Sequence, residues 1–207
     1  MSYDNVHIFW DNSNIWGGAT DVAADKEPQV PWYAIRVYWE HIYDLVLKDR
    51  NALTKKMAGS VPPQAANLWP YAEKMGFDVK LLKRVLNGAG TMREQAVDEM
   101  LHLSIADTIL ERTGPETIIL LSGDGNESNT GTSFPQHLRY ALKRNWKVEV
   151  YSWSLPLNYR KFNQLRDEFP DLVEIIELDS YYFSLTFVQE IVSSVPGRKV
   201  EPISKVN

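Results

Sequence analysis

The stretch HIFWDNSNIWGG (His7 to Gly18) decides how this chain is read. An apolar run ends in an aspartate, two asparagines and a pair of glycines. Val6 to Trp10 has the length and character of a short buried strand. A strand that stops at Asp11 either presents its last side chains to a cleft or ends in an ordinary turn, because Asp and Asn favour turns through local hydrogen bonds. The two readings part on whether other carboxylates arrive at the same place.

Working outward, the pattern recurs once. TIILLSGDGN (Thr117 to Asn126) is another apolar strand that runs into small and acidic residues. Between the two, Pro31 opens a predicted amphipathic helix, PWYAIRVYWEHIYDLVLKDR, proline being suited to a first helical turn. A short strand is expected at Thr54 to Ser60. After the Pro62-Pro63 break comes a helix, QAANLWPYAEKMG, which Gly76 would stop. FDVKLLKRV reads as a strand, Asn87 to Met92 as a loop and Arg93 to Thr113 as a long helix. Beyond Asn126 the expected order is helix FPQHLRYALKRN, strand WKVEVYSW, helix NYRKFNQLRDEF and a final strand LVEIIELD. Strands alternating with helices predict an α/β fold, with a mostly parallel central sheet covered by helices on both faces. Residues 1–195 read as one domain. Residues 196–207, with Pro196, Gly197 and Pro202, read as a flexible tail.

In such sheets, ligands bind beyond the carboxyl ends of the strands. Asp11 and Asp124 both sit there, and they share one crevice if their strands are neighbours. A third carboxylate lies in REQAVDEMLHLSIADTILER. At about 100° per residue, Asp98 falls on the same helix side as Ile105 and Ile109. A carboxylate on an apolar side needs a partner. Asp107, nine residues on, points about 180° away and reads as a solvated residue. Glu99 could reach the same cleft edge. His102, one turn from Asp98, reads first as a packing residue.

Carboxylates gathered in an α/β crevice suit a hard cation such as Mg²⁺ or Mn²⁺. Such an ion activates water and offsets charge on a phosphate. Asn12, Asn14 and Asn126 could hold the carboxylates or a water by hydrogen bonds. Ser122, with Gly123 and Gly125, would keep the Asp124 loop tight. This set points to hydrolysis of a phosphodiester.

Basic residues cluster around the expected site. Lys80, Lys83 and Arg84 precede the Asp98 helix and Arg93 opens it. Arg139, Lys143, Arg144 and Lys147 follow the Asp124 loop, with Arg160 and Lys161 beyond. Trp16 and Trp153 are candidates for base stacking, although large aromatics more often pack in cores. The net charge is −5 over 207 residues, so nucleic acid would need a local basic face rather than a basic protein. Absence of cysteine excludes disulfides, thiolate metal sites and cysteine catalysis. No apolar run has membrane-spanning length and the first residues lack a signal-peptide pattern, which together predict an intracellular protein. With 7 tryptophans and 10 tyrosines, exposed aromatics could serve a homodimer face.

On these motifs the chain resembles the NYN domain family, a branch of the PIN-like ribonucleases. FWDNSNI is similar to the family's opening motif, with Asp11 and Asn14 in the places of its aspartate and asparagine. EQAVDEMLHLSI resembles the second motif, where Asp98 takes the acidic place and Glu99 matches an additional acid of some members. ILLSGDGN resembles the third, a strand ending in serine, glycine and aspartate, with Asp124 as that aspartate. FPQHLRYALKRNWKVEVYSW is similar to the helix and strand that follow. The resemblance runs roughly from Val6 to Trp153. It implies a Rossmann-like three-layer sandwich, a Mg²⁺ or Mn²⁺ site at Asp11, Asp98 and Asp124, and endonuclease action on RNA. Many members carry a second acid two places after the third aspartate. Here Asn126 stands there and Glu127 follows.

Three functional expectations result. The first is a metal-dependent endoribonuclease acting on single-stranded RNA. The second is a catalytically weak or inactive PIN-like module that binds RNA or serves as a scaffold, to which Asn126 points. The third is a phosphatase like the haloacid dehalogenases, which also place an aspartate at a strand end. Its motif requires a second aspartate at the position of Ser13, so the fit is poor.

Overall fold

The computed structural model describes residues 3–60, 69–82, 84–86, 92–94, 97–128, 131–190 and 195–203. In chain order it comprises β1 (Asn5–Asp11), α1 (Asn12–Lys26), a 3₁₀ turn (Trp32–Ala34), β2 (Ile35–Val37), α2 (Trp39–Leu47), β3 (Asn51–Ser60), α3 (Trp69–Lys74) and β4 (Asp78–Leu82). There follow β5 (Arg84–Leu86), β6 (Met92–Glu94), α4 (Val97–Glu111), β7 (Thr117–Leu121), α5 (Phe134–Leu142), β8 (Lys147–Ser152), α6 (Tyr159–Glu168) and β9 (Val173–Glu177). A 3₁₀ turn (Asp179–Tyr181), α7 (Tyr182–Leu185) and β10 (Thr186–Val188) complete the order.

The main sheet has six strands in the order β4-β3-β1-β7-β8-β9. Every neighbouring pair in it is parallel. This is the α/β three-layer sandwich expected from the alternation of elements. Side-chain parity separates the layers. Val6, Ile8 and Trp10 face one core, built with Ile15, Ala19 and Val22 of α1 and Ile42 and Val46 of α2. Phe9 faces the other, built with Leu101, Ile105 and Ile109 of α4, Leu138 of α5 and Phe162 of α6. The strands of β1, β7 and β8 are buried almost end to end, as a sheet covered on both faces requires.

Several elements differ from expectation. Asn12 to Lys26 form a helix, where the sequence shows no sign of an element between the strand ending at Asp11 and Pro31. Gly17 and Gly18 lie inside it, and Gly18 lets it pack against the end of β8, since a Cβ there would stand 2.6 Å from Trp153 Cδ1. The helix expected from Pro31 is divided into a 3₁₀ turn, β2 and α2. Ile35, Arg36 and Val37 pair antiparallel with β10, a distant partner that suits β-branched residues. FDVKLLKRV is divided between β4 and β5, and Arg93 lies in β6, antiparallel to β5, rather than opening the long helix. That helix starts at Val97. Of QAANLWPYAEKMG, residues 64–68 fall outside the described residues and the rest is α3. Gly76 ends it at φ +83°.

Of the expected tail, residues 196–203 are docked, and 204–207 lie outside the described residues. Arg198 exchanges backbone hydrogen bonds with Val188 at 2.9 and 3.1 Å. Its guanidinium donates from Nε to Glu27 Oε1 and from Nη2 to Glu27 Oε2, both at 2.8 Å. Glu27 is buried and also accepts from Tyr182 Oη at 2.8 Å. No described helix is long and apolar enough to cross a membrane.

Candidate active site

From β1 the chain crosses to β3 and β4 on one side, and β7, β8 and β9 lie on the other. The β1–β7 boundary is therefore the switch point of the sheet, where a crevice opens beyond the carboxyl ends. Trp10 is in register with Leu121, which sets Asp11 level with Ser122. Parity turns both toward the face covered by α4 and α5.

A set of hydrogen bonds closes this junction. Asp11, 4% exposed, caps α1 by accepting from Asn14 N–H at 3.1 Å through Oδ1. Its Oδ2 accepts from the Ser122 hydroxyl at 3.1 Å. Asn14 Oδ1 accepts from Gly123 N–H at 2.8 Å. Ser122 Oγ accepts from Asp124 N–H at 3.2 Å. Asp124 turns back on its own loop, with Oδ1 accepting from Asn126 N–H at 2.8 Å. Gly123 O accepts from Asn158 N–H at 2.9 Å, and a Cβ on Gly123 would meet Ser152 Oγ and stand 2.8 Å from Pro156 O. A side chain at 123 would push this loop off the end of β8.

Asp98 and Glu99 occupy the first turn of α4, both half-buried. The crossover from β4 to β7 brings that turn to the carboxyl edge, on the face that Asp11 faces. Asp107 is exposed, as expected. No group of three Asp, Glu or His side chains able to hold a metal ion occurs among the described residues. The fold thus joins Asp11, Asn14, Ser122 and the Asp124 loop by direct hydrogen bonds. It sets Asp98 at the same edge without completing a three-ligand cluster. Asn12 Oδ1 is buried and has no hydrogen-bond partner among the described residues.

His102 is a packing residue. It is 3% exposed, stacks on His137 at 5.1 Å and meets the Phe134 ring edge-on. Its Nδ1 lies 3.1 Å from Thr132 Oγ1, so it ties α4 to the loop that leaves Asp124. Burial, with a smaller contribution from His137, pushes its pKa down to about 4. His137 and Thr132 belong to this neighbourhood and carried no sequence signal, because only the packing of α4 on α5 brings them to His102.

The basic residues divide. Lys83 lies outside the described residues, and Arg84 and Arg93 belong to the β5–β6 hairpin. Arg139 pairs with Glu168 at 3.0 Å and Lys161 with Glu127 at 3.7 Å. Lys143 is exposed. Trp16 is half-buried, donates to Ile35 O at 3.2 Å and meets Trp32 edge-on. Trp153 is fully buried, with Nε1 donating to Ile15 O at 2.8 Å, so it packs and presents no face to a base.

No protein-family model and no curated protein matches this chain. Its fold is similar to that of a Vibrio parahaemolyticus protein of unknown function, with a TM-score of 0.57 and 16% identity, over 84% of this chain and 94% of the other. Staphylococcus aureus homoserine dehydrogenase matches at a TM-score of 0.34 and 13% identity, over 83% of this chain and 32% of the other, too distant to carry an argument. The likeness to the Vibrio protein bears on the fold alone.

Proposed function

We propose that the chain is a PIN-like endoribonuclease that hydrolyses phosphodiester bonds of single-stranded RNA with Mg²⁺ or Mn²⁺. The observation that carries this reading is the hydrogen-bonded junction of Asp11 with the 122–126 loop at the switch point of a parallel sheet. A crevice of that kind is where α/β proteins bind ligands. Fold likeness alone does not argue function, so the reading rests on these side chains and on the motif resemblance.

The donors fit a hard cation by type. Asp11 and Asp124 offer carboxylate oxygens, Asp98 offers a third from the first turn of α4, and Asn12 Oδ1 is a buried oxygen without a partner among the described residues. Asp11, Asp98 and Asp124 would hold the ion. When bound, it supplies a more acidic water and positive charge beside the scissile phosphate. The remaining work falls to the chain itself. Ser122 fixes the Asp11 carboxylate, Asn14 fixes α1 against Gly123, and Gly123 lets the loop sit on the end of β8.

Two observations favour a second reading, a PIN-like module that binds RNA with little or no catalysis. Asp124 Oδ1 is engaged by Asn126 N–H, and no three-ligand group stands assembled among the described residues. Cleavage of a labelled single-stranded RNA in Mn²⁺, Mg²⁺ or EDTA, run beside Asp11→Asn and Asp124→Asn, decides between them. Metal-dependent cleavage lost in both variants supports the nuclease. Binding without cleavage in all three proteins supports the module.

A further inference from the structure

Beside the carboxylate junction, a polar cavity of about 280 Å³ opens between the loop that follows Asp124 and helices α5 and α6. Its walls carry two cations, Arg139 from α5 and Lys161 from α6, and two amides, Gln136 and Gln164. Ser133 also lines it. This serine is only 5% exposed and holds the capping position of α5, yet its hydroxyl makes no capping hydrogen bond. A buried hydroxyl left out of its usual bond beside two cations is the chemistry of an anion subsite.

Among the described residues, the cations pair with outlying carboxylates. Glu127, whose side chain is 67% exposed, approaches Lys161 at 3.7 Å, and Glu168, 41% exposed, approaches Arg139 at 3.0 Å. The cations themselves are 30% and 29% exposed. Exposed ion pairs of this kind hold weakly, so Glu127 can swing out when a stronger anion enters. The cavity lies past the carboxyl ends of β7 and β8, one loop away from Asp124.

We propose that this cavity holds a backbone phosphate of single-stranded RNA, contacted by Arg139 and Lys161, with Glu127 as its internal competitor. The proposal takes its ligand from the ribonuclease reading. A phosphodiester accepts from a guanidinium in two places and from an ammonium as a point charge, and Gln136 and Gln164 can donate to phosphate or ribose oxygens.

The test is fluorescence anisotropy of a labelled oligouridylate in EDTA, titrated across a range of KCl concentrations. The proteins are the parent, Arg139→Gln, Lys161→Gln, Glu127→Gln and Arg166→Gln, the last removing a charge on α6 outside the cavity. Arg139→Gln and Lys161→Gln should each weaken binding and reduce the slope of log K against log salt by about 0.7, the value for one lost contact to a single strand. Glu127→Gln should tighten binding, a gain that misfolding cannot produce, and Arg166→Gln should leave the slope alone. Parent-like slopes in the two cation variants, equal losses in all four variants, no binding by the parent, or tighter binding of polyglutamate than of oligouridylate would each overturn the subsite. Binding is read without metal, so a parent that binds through the cavity and does not cleave fails only the nuclease reading. A parent that cleaves while the cavity variants bind normally fails only the subsite.

Discussion

The Ser122 hydroxyl donates to Asp11 Oδ2 at 3.1 Å. The two residues stand at the ends of β7 and β1, the strands between which the sheet reverses its order of crossing. The same hydroxyl oxygen accepts from Asp124 N–H at 3.2 Å. One small side chain therefore holds the aspartate that ends β1 and the backbone of the aspartate that follows β7.

Ser122→Ala removes the donor to a buried carboxylate and the acceptor for a loop amide. Losing hydrogen bonds of buried polar groups costs about 1–3 kcal/mol. The midpoint of urea unfolding should fall accordingly with an unchanged m-value, and the Asp124 amide should exchange with solvent faster than in the parent. Ser122→Thr keeps the hydroxyl and should recover most of the loss. Equal stability of the alanine variant and the parent would show that the junction is held by the sheet alone.

Arg198 makes the corresponding case for the chain's end. It reaches a carboxylate, Glu27, that is 7% exposed and is already hydrogen-bonded to Tyr182. Arg198→Ala leaves that carboxylate with a phenol and, among the described residues, no cation. Breaking one side of a buried pair costs about 3–5 kcal/mol, and the partial exposure of Arg198 reduces this to roughly 2 kcal/mol. Unfolding in guanidinium should show it. A variant as stable as the parent would return residues 196–203 to the status of a tail.

How far the sequence could be read depends on which contacts are local. The strands β1, β7 and β8 are apolar runs bounded by polar residues, and their burial follows from composition. Asp11 and Asp124 at strand ends are legible for the same reason, and Asp98 from its position on an apolar helix side. By contrast, α1 contains Gly17, Gly18 and two asparagines, all weak helix formers. Its helicity comes from packing Ile15, Ala19 and Val22 onto the sheet, which no window of sequence displays. β2 exists because β10, about 150 residues later, pairs with it. Arg198 meets Glu27 across a still longer separation, and proline and glycine near it suggested a loose end. The hydroxyl of Ser122 could be named from the motif, but its bond to Asp11 required the register of β1 on β7.

Acid should weaken the fold in two stages. His102 has its pKa pushed by burial from 6.5 down to about 4, so the fold favours the neutral ring. Its stabilisation is intact above pH 6.5 and erodes as the pH falls toward 4. His7, which lies 2.7 Å from Glu116 through Nε2, is also pushed down by burial, with Glu116 opposing the shift. Glu116 is drawn from 4.5 down to about 2, first by its hydrogen bonds from Arg112 and then by His7, against burial. Its contribution is present above pH 4.5 and is lost as the pH falls through about 2. Thermal unfolding followed from pH 7 to pH 2.5 should show Tm declining below pH 6.5 and again below pH 4.5. In Glu116→Gln the second decline should be shallower, and in His102→Phe, which keeps the ring contact with Phe134, the first. A parent Tm flat from pH 6.5 to 4 would contradict the first assignment.

Asn126 offers the sharpest test of the nuclease reading, because the change adds a ligand rather than removing one. It is exposed and its backbone N–H already binds Asp124 Oδ1, so Asn126→Asp alters charge with little demand on the fold. If Asp11, Asp98 and Asp124 hold a cation, a further carboxylate two residues past Asp124 should tighten it. Less Mn²⁺ should then suffice for half-maximal cleavage, and the rate at low metal should rise on the order of tenfold, the equivalent of about 1.4 kcal/mol. Without a cation, the added charge should only repel RNA, raising Kd most at low salt, where the repulsion is least screened, with no cleavage at any Mn²⁺ concentration. The two outcomes move metal dependence and RNA affinity in opposite senses, so one titration of the parent beside Asn126→Asp separates a working site from a binding module.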